Sequence, residues 1–223
     1  MRAYRPLRAV VFDFDGTILD TETPEFEEWR EAFRARGHEL SLDVWQRSLG
    51  TVGAYDPCAH LADLTGTAFD HDALRRDVYA RHQTRCESQP LLPGVVDRAR
   101  EARAAGMGTA VASSSLSEWV EGWLGRHRIR DLFDAVCTRD EVPRVKPAPD
   151  LFLLAAARLG AAPEECLAFE DSPNGIRAAR AAGLRCVAIP NPLTRHLPLG
   201  EADFVIGSLA DHSLAEVLER LRE

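Results

Sequence analysis

The chain has 223 residues, 45% of them hydrophobic and 28% charged, with a formal net charge of −8. That is ordinary globular composition, long enough to bury a real core in one domain or in a domain with an insertion. The acidic balance argues against a broad nucleic-acid surface, and no apolar run approaches the roughly 20 residues needed to span a bilayer.

Arg2, Arg5 and Arg8 give the chain a basic start, as a signal peptide would have. The apolar stretch that follows, Ala9–Phe12, is too short for one, and Asp13 and Asp15 interrupt it. A cytoplasmic protein is expected. The segment from Arg8 to Phe14 is apolar and β-branched and ends at Gly16. It predicts a buried strand followed by a turn. From about Glu25 to Ser88 no comparable strand follows. Phe26, Trp29 and Phe33, then Leu40 and Val44, then Leu74 and Val78 recur at helical spacing, which predicts a helical insertion. Pro90 and Pro93-Gly94 mark the return.

Strands and helices then alternate. Helices are predicted over 95–105, 116–126, 149–159, 176–182 and 214–221, and strands over 108–112, 135–138, 166–169, 185–189 and 204–206. This alternation implies an α/β fold: a doubly wound, Rossmann-like parallel sheet with helices on both faces. In such a sheet the ligand lies outside the carboxyl ends of the strands.

Four clusters follow predicted strands or precede helix starts. In Asp13-Phe14-Asp15-Gly16-Thr17, two carboxylates leave a buried strand on the same side. That arrangement suits a carboxylate nucleophile with a second carboxylate as acid and base; the alternative is an Asp-Gly turn with incidental capping. In Ser113-Ser114-Ser115, a hydroxyl can donate to a phosphoryl oxygen, or the serines cap a helix. In Lys146-Pro147-Ala148-Pro149-Asp150, the prolines stiffen a segment carrying one ammonium, either as a fixed charge or as a solvated lysine on a rigid linker. In Glu170-Asp171-Ser172, the carboxylates offer hard oxygens for Mg²⁺, or the segment caps a helix starting at Pro173.

Lys146 is singular in another way. Of 27 basic residues it is the one lysine; the rest are arginine. A compact ammonium on a flexible stem does what a planar guanidinium cannot, although one lysine has to sit somewhere.

Together, Asp13-Phe14-Asp15-Gly16-Thr17, Ser113, Lys146-Pro147 and Glu170-Asp171, in this order and spacing, resemble the haloacid dehalogenase superfamily, in the branch of β-phosphoglucomutase-like phosphatases. The resemblance covers essentially the whole chain. It implies a catalytic core over residues 1–20 and 89–223 and a helical cap over 21–88. It implies that Asp13 attacks phosphorus, that Asp15 serves as acid and base, and that Ser113 and Lys146 hold the phosphoryl group, with Ser114 beside them. It implies Mg²⁺ held by Asp13, the backbone carbonyl of Asp15 and Asp171, with Glu170 close by or acting through water. The stretch Leu49-Gly50-Thr51-Val52-Gly53 corresponds to the family's substrate-specificity loop, and Thr21 and Glu22 face the same cleft. The substrate class implied is a small phosphorylated metabolite; the expected state is a monomer or weak homodimer.

The departures narrow the activity. Dehalogenases of the family lack an acid at the place of Asp15. Phosphonate-cleaving relatives use a cap lysine, and residues 21–88 contain none. The cap histidine and arginine of β-phosphoglucomutase fall at Glu25 and near Gly53, which disfavours a mutase. A phosphomutase and a catalytically silent binding module are the competing readings; intact Asp13, Asp15, Lys146 and Asp171 argue against the second.

Other signals are structural. Five cysteines, Cys58, Cys86, Cys137, Cys166 and Cys186, include no CxxC pair, so buried reduced thiols are expected. His38, His60, His71 and His82 form no i, i+4 metal pair and read as surface or satisfied histidines. Phe26, Trp29, Phe33 and Trp45 read as core of the insertion.

Overall fold

The structure, a computed structural model, describes residues 6–222. Arg2 and Arg5, the basic start noted above, lie outside them. Six strands form one sheet: β1 (Ala9–Phe12), β2 (Gly108–Ala112), β3 (Ala135–Cys137), β4 (Cys166–Glu170), β5 (Arg185–Ala188) and β6 (Phe204–Val205). All pair in parallel, in the order β3-β2-β1-β4-β5-β6. β1 is shorter than the sequence pattern predicts, because the chain turns at Phe14, whose carbonyl accepts the N–H groups of Thr17, Ile18 and Leu19.

Strand alternation sorts side chains onto two unlike faces. Val10, Phe12, Val111, Leu167, Phe169 and Val187 cover one face. They pack under α5 (Val95–Ala104), α6 (Ser117–Arg126) and α9 (Leu214–Arg220). The other face is made mostly of small residues, Ala9, Ala110, Ala112, Cys137, Ala168, Cys186 and Ala188, together with Val11. These admit α7 (Asp150–Arg158) and α8 (Pro173–Ala182) through Leu151, Phe152, Ile176 and Ala179. All five cysteines are buried and free, as expected.

Between β1 and α5 the chain forms four helices: α1 (Glu22–Arg34), α2 (Leu42–Trp45), α3 (Pro57–Thr65) and α4 (His71–Cys86). They enclose a hydrophobic cluster of their own, built on Phe26, Trp29, Phe33, Trp45, Leu61 and Val78. Buried Glu28 on α1 ties this layer together by pairing with Arg81, at 2.6 Å, and with Arg85, both on α4. Leu193 and Leu197, from the loop after β5, also pack into this cluster. Among the described residues no helix is long and apolar enough to cross a membrane.

Candidate functional site

β1 is central, and its neighbours β2 and β4 lead the chain to opposite sides of the sheet. A crevice therefore opens at their carboxyl ends, where the order reverses. Asp13 stands one residue past β1, Ser113 one past β2, and Glu170 ends β4.

Lys146 sits at the centre of the cluster. Its side chain is 1% exposed, and its ammonium donates to Asp13 Oδ1 and, at 2.6 Å, to Glu170 Oε1. It also lies 5.0 Å from the ring centroid of Phe152. The alternative of a solvated lysine on a linker is thereby excluded. Burial opposes its charge, yet the charges of Asp13 and Glu170 prevail and hold its pKa above the ordinary lysine value.

Glu170 is fixed from its other side. Its Oε2 accepts the N–H groups of Asp171 (3.0 Å) and Ser172 (3.1 Å) and the Ser172 hydroxyl (3.1 Å). Ser172, not an acid, caps α8 through Gly175 N–H. That leaves the two carboxylates free of the capping role. Gly175 makes room for Glu170, since a Cβ there would fall 1.7 Å from Oε1.

Asp13, Glu170 and Asp171 offer oxygens that all lie within 4.8 Å of one another. Three carboxylates against one ammonium leave two negative charges in a buried space. Burial, opposed by Lys146 and reinforced by Glu170 and Asp15, pushes Asp13 up to about 8. Burial and the charges of Glu170 and Asp13 push Asp171 well above the usual carboxylate range. Asp171 Oδ1 is buried with no hydrogen-bond partner, while Oδ2 accepts from the Asn191 amide at 2.7 Å. An orphaned hard oxygen beside two surplus negative charges fits a divalent cation such as Mg²⁺. Gly16, with φ of 87°, lies against this pair: a Cβ there would fall 2.5 Å from Asp171 Oδ2 and 2.6 Å from Asn191 Nδ2.

Asp15 faces the helical layer. Its Oδ1 accepts from the Thr21 hydroxyl (2.7 Å) and the Trp119 indole (2.9 Å). Its Oδ2 accepts from Ser113 (3.1 Å) and Ser115 (2.7 Å). Ser113 thus joins the cluster through Asp15. None of the three serines caps α6: that position belongs to Leu116, without a side-chain bond. Ser114 donates to the Gly50 carbonyl at 3.4 Å.

The loop at 49–51 rests directly on the sheet's crevice. Thr51 donates to the Lys146 carbonyl (2.5 Å), and Asn174 donates to the Leu49 carbonyl (2.9 Å). A cavity of about 590 Å³ lies between this layer and the sheet ends, lined by Asp13, Asp15, Thr21, Glu22, Gly50 and Ser114 among others. Trp29 and Trp45, core of the insertion as expected, also line it. Glu22 is buried, and burial together with the Glu25 and Asp15 charges raises it well above the usual range.

Sequence reasoning did not single out Trp119 or Asn191, named Ser115 only within the Ser113-Ser114-Ser115 cluster, and weighed Glu25 only as the position at which the cap histidine of β-phosphoglucomutase falls. Asn191 follows the end of β5, where the strand-end rule could have found it. Trp119 sits inside the first turn of a helix and carried no comparable signal. His82 is satisfied, as expected: its Nε2 bonds the Thr21 carbonyl at 2.9 Å. A carbonyl only accepts, so Nε2 carries the proton.

Known proteins resemble this chain over nearly its whole length. YhcW of Bacillus subtilis is 41% identical over 215 residues, covering 96% of this chain and 98% of that one. The fructose-1-phosphate phosphatase YqaB of Escherichia coli is 35% identical over 189 residues, covering 83% and 98%. The crystal structure of CbbY from Rhodobacter sphaeroides in complex with phosphate superposes with a TM-score of 0.76 at 32% identity, covering 94% and 98%. A mutant of the same protein, solved with xylulose-(1,5)bisphosphate, gives 0.76 at 31%. The family model of haloacid dehalogenase-like hydrolases matches residues 7–183. With its parallel sheet, its acidic crevice and these relatives, the chain belongs to the haloacid dehalogenase-like hydrolases and is an enzyme of their phosphatase group.

Proposed function

We propose that this enzyme is a magnesium-dependent phosphatase that hydrolyses a small phosphorylated metabolite, a sugar phosphate in the first instance, through an aspartyl-phosphate. The observation that carries the reading is Lys146, buried between Asp13 and Glu170, beside an Asp171 oxygen with no partner. The relatives that act on fructose 1-phosphate or bind xylulose bisphosphate support the substrate class.

Asp13 attacks phosphorus and forms a new P–O bond as the bond to the leaving oxygen breaks. Asp15 gives that oxygen its proton, then takes one from the water that attacks the aspartyl-phosphate, freeing Asp13. Lys146 neutralises the phosphoryl charge, and Ser113 donates to a phosphoryl oxygen. Asp13, Asp171 and the Asp15 carbonyl would hold Mg²⁺, with Glu170 backing Lys146. When bound, the ion supplies positive charge to the phosphoryl oxygens. Residues 21–88 act as a cap over the core of residues 1–20 and 89–223 and exclude water while the site is closed. Five buried reduced thiols suit the cytoplasm.

The test is inorganic phosphate release from 4-nitrophenyl phosphate. Asp13→Asn and excess chelator each abolish it; full activity in either case overturns the mechanism. Incubation with glucose phosphates releases phosphate without interconverting isomers, whereas a mutase would interconvert them.

A further inference from the structure

Of the four donors around Asp15, three are hydroxyls, which can rotate, accept as well as donate, and turn away. The fourth, the Trp119 indole, only donates and cannot pivot without moving its ring. That ring is held on several sides. Its centroid lies 5.5 Å from Trp123, edge to face, on its own helix. It lies 5.1 Å from His82 and 5.9 Å from Tyr79, both on α4 of the helical layer. His82 in turn bonds the carbonyl of Thr21, the residue that supplies the other donor to Asp15 Oδ1. Two routes therefore run from α4 to one carboxylate oxygen, and the rigid one passes through Trp119.

We propose that Trp119 is the positioning residue for Asp15: it fixes Oδ1 as an acceptor, so that Oδ2 is the oxygen left to serve the leaving group. The indole is packed both against Trp123 on its own helix and against α4, so the helical layer contributes to the stack that holds it. The proposal rests on the reading of Asp15 as the proton donor. Trp119 itself does no chemistry.

A mispositioned acid has a particular signature. It slows departure of poor leaving groups, which need a proton, far more than departure of good ones. The measurement is kcat/KM, which reports the first phosphoryl transfer, for phenyl phosphate and for 4-nitrophenyl phosphate. Trp119→Phe keeps a ring in the stack and removes the donor. It should lower kcat/KM by about tenfold or more for phenyl phosphate and by no more than about threefold for 4-nitrophenyl phosphate. The ratio of the two rates cancels any loss of folded protein. Trp119→His, which keeps a ring N–H, should move the ratio back toward wild type. An equal loss on both substrates, no loss, or a ratio that Phe and His shift alike would each overturn the proposal. Asp15→Asn provides the separate control. If it too shows no leaving-group bias, the assignment of Asp15 fails; if it shows the bias and Trp119→Phe does not, only the role of Trp119 fails.

Discussion

Asn191 holds Asp171 by one oxygen: its amide donates to Oδ2 over 2.7 Å, while its own carbonyl accepts the N–H groups of Leu193 (2.8 Å) and Thr194 (3.0 Å). The Leu193 side chain packs into the cluster of the inserted helices. The orientation of an acidic residue in the crevice is thus set from the helical layer. Asn191→Ala should weaken Mg²⁺ binding by about tenfold or more, the usual effect of losing a partner behind a metal ligand. Calorimetric titration of the purified protein with Mg²⁺ measures this directly, and unchanged affinity would show Asp171 to be held without Asn191.

Glu25 lines the cavity with its carboxyl raised from 4.5 to about 7, by burial first and by the charge of Asp15 second. Between these two values the folded protein binds more protons at this position than the unfolded chain does. Stability therefore falls as pH rises through that window and levels off above it. The ceiling on this contribution is about 3 kcal/mol. Glu25→Gln removes the ionisation, so its melting temperature relative to wild type should be several degrees higher at pH 8 than at pH 5. An equal difference at both values would contradict the assignment.

Gly50 adopts φ of 69° where the inserted loop meets α8, and a Cβ there would fall 2.0 Å from Ser172 Oγ. Gly50→Ala should cost about 1–3 kcal/mol of stability and loosen the Thr51 bond to the Lys146 carbonyl. The expected readouts are a lower melting temperature and a raised KM for 4-nitrophenyl phosphate. A variant with wild-type values of both would mean that this loop is free to move without consequence.

Lys146→Arg should fail almost as badly as Lys146→Ala, with a loss of about a hundredfold or more in kcat/KM. A planar guanidinium cannot take the place of a compact ammonium held between Asp13, Glu170 and the Phe152 ring, and each variant disturbs two buried carboxylates. Steady-state rates on 4-nitrophenyl phosphate decide it; near-normal turnover by the arginine variant would reduce Lys146 to a generic charge.

The sheet was legible because apolar runs and helical spacing are local signals. β2 falls where its residues predict, and β1, α5 and α8 shift at their ends by a few residues as caps and turns take over. The acidic crevice was legible because Asp13, Lys146 and Glu170 are residue types that burial strongly disfavours without a reason to be there. Trp119 and Asn191 were not, because an indole and an amide are at home in many surroundings. Their meaning depends on contacts with Asp15 and Asp171, which lie 104 and 20 residues away in sequence. Ser113-Ser114-Ser115 left capping open, and only the position of Leu116 resolves it.

The scarcity of lysine gives this enzyme an unusual surface chemistry. Its single side-chain amine is sealed in the crevice at 1% exposure. Acylating reagents that modify primary amines would therefore reach no side-chain amine while the fold is intact. Label on Lys146 would report the moment the acidic crevice opens to solvent, so that modification of this one lysine becomes a clock for its unfolding.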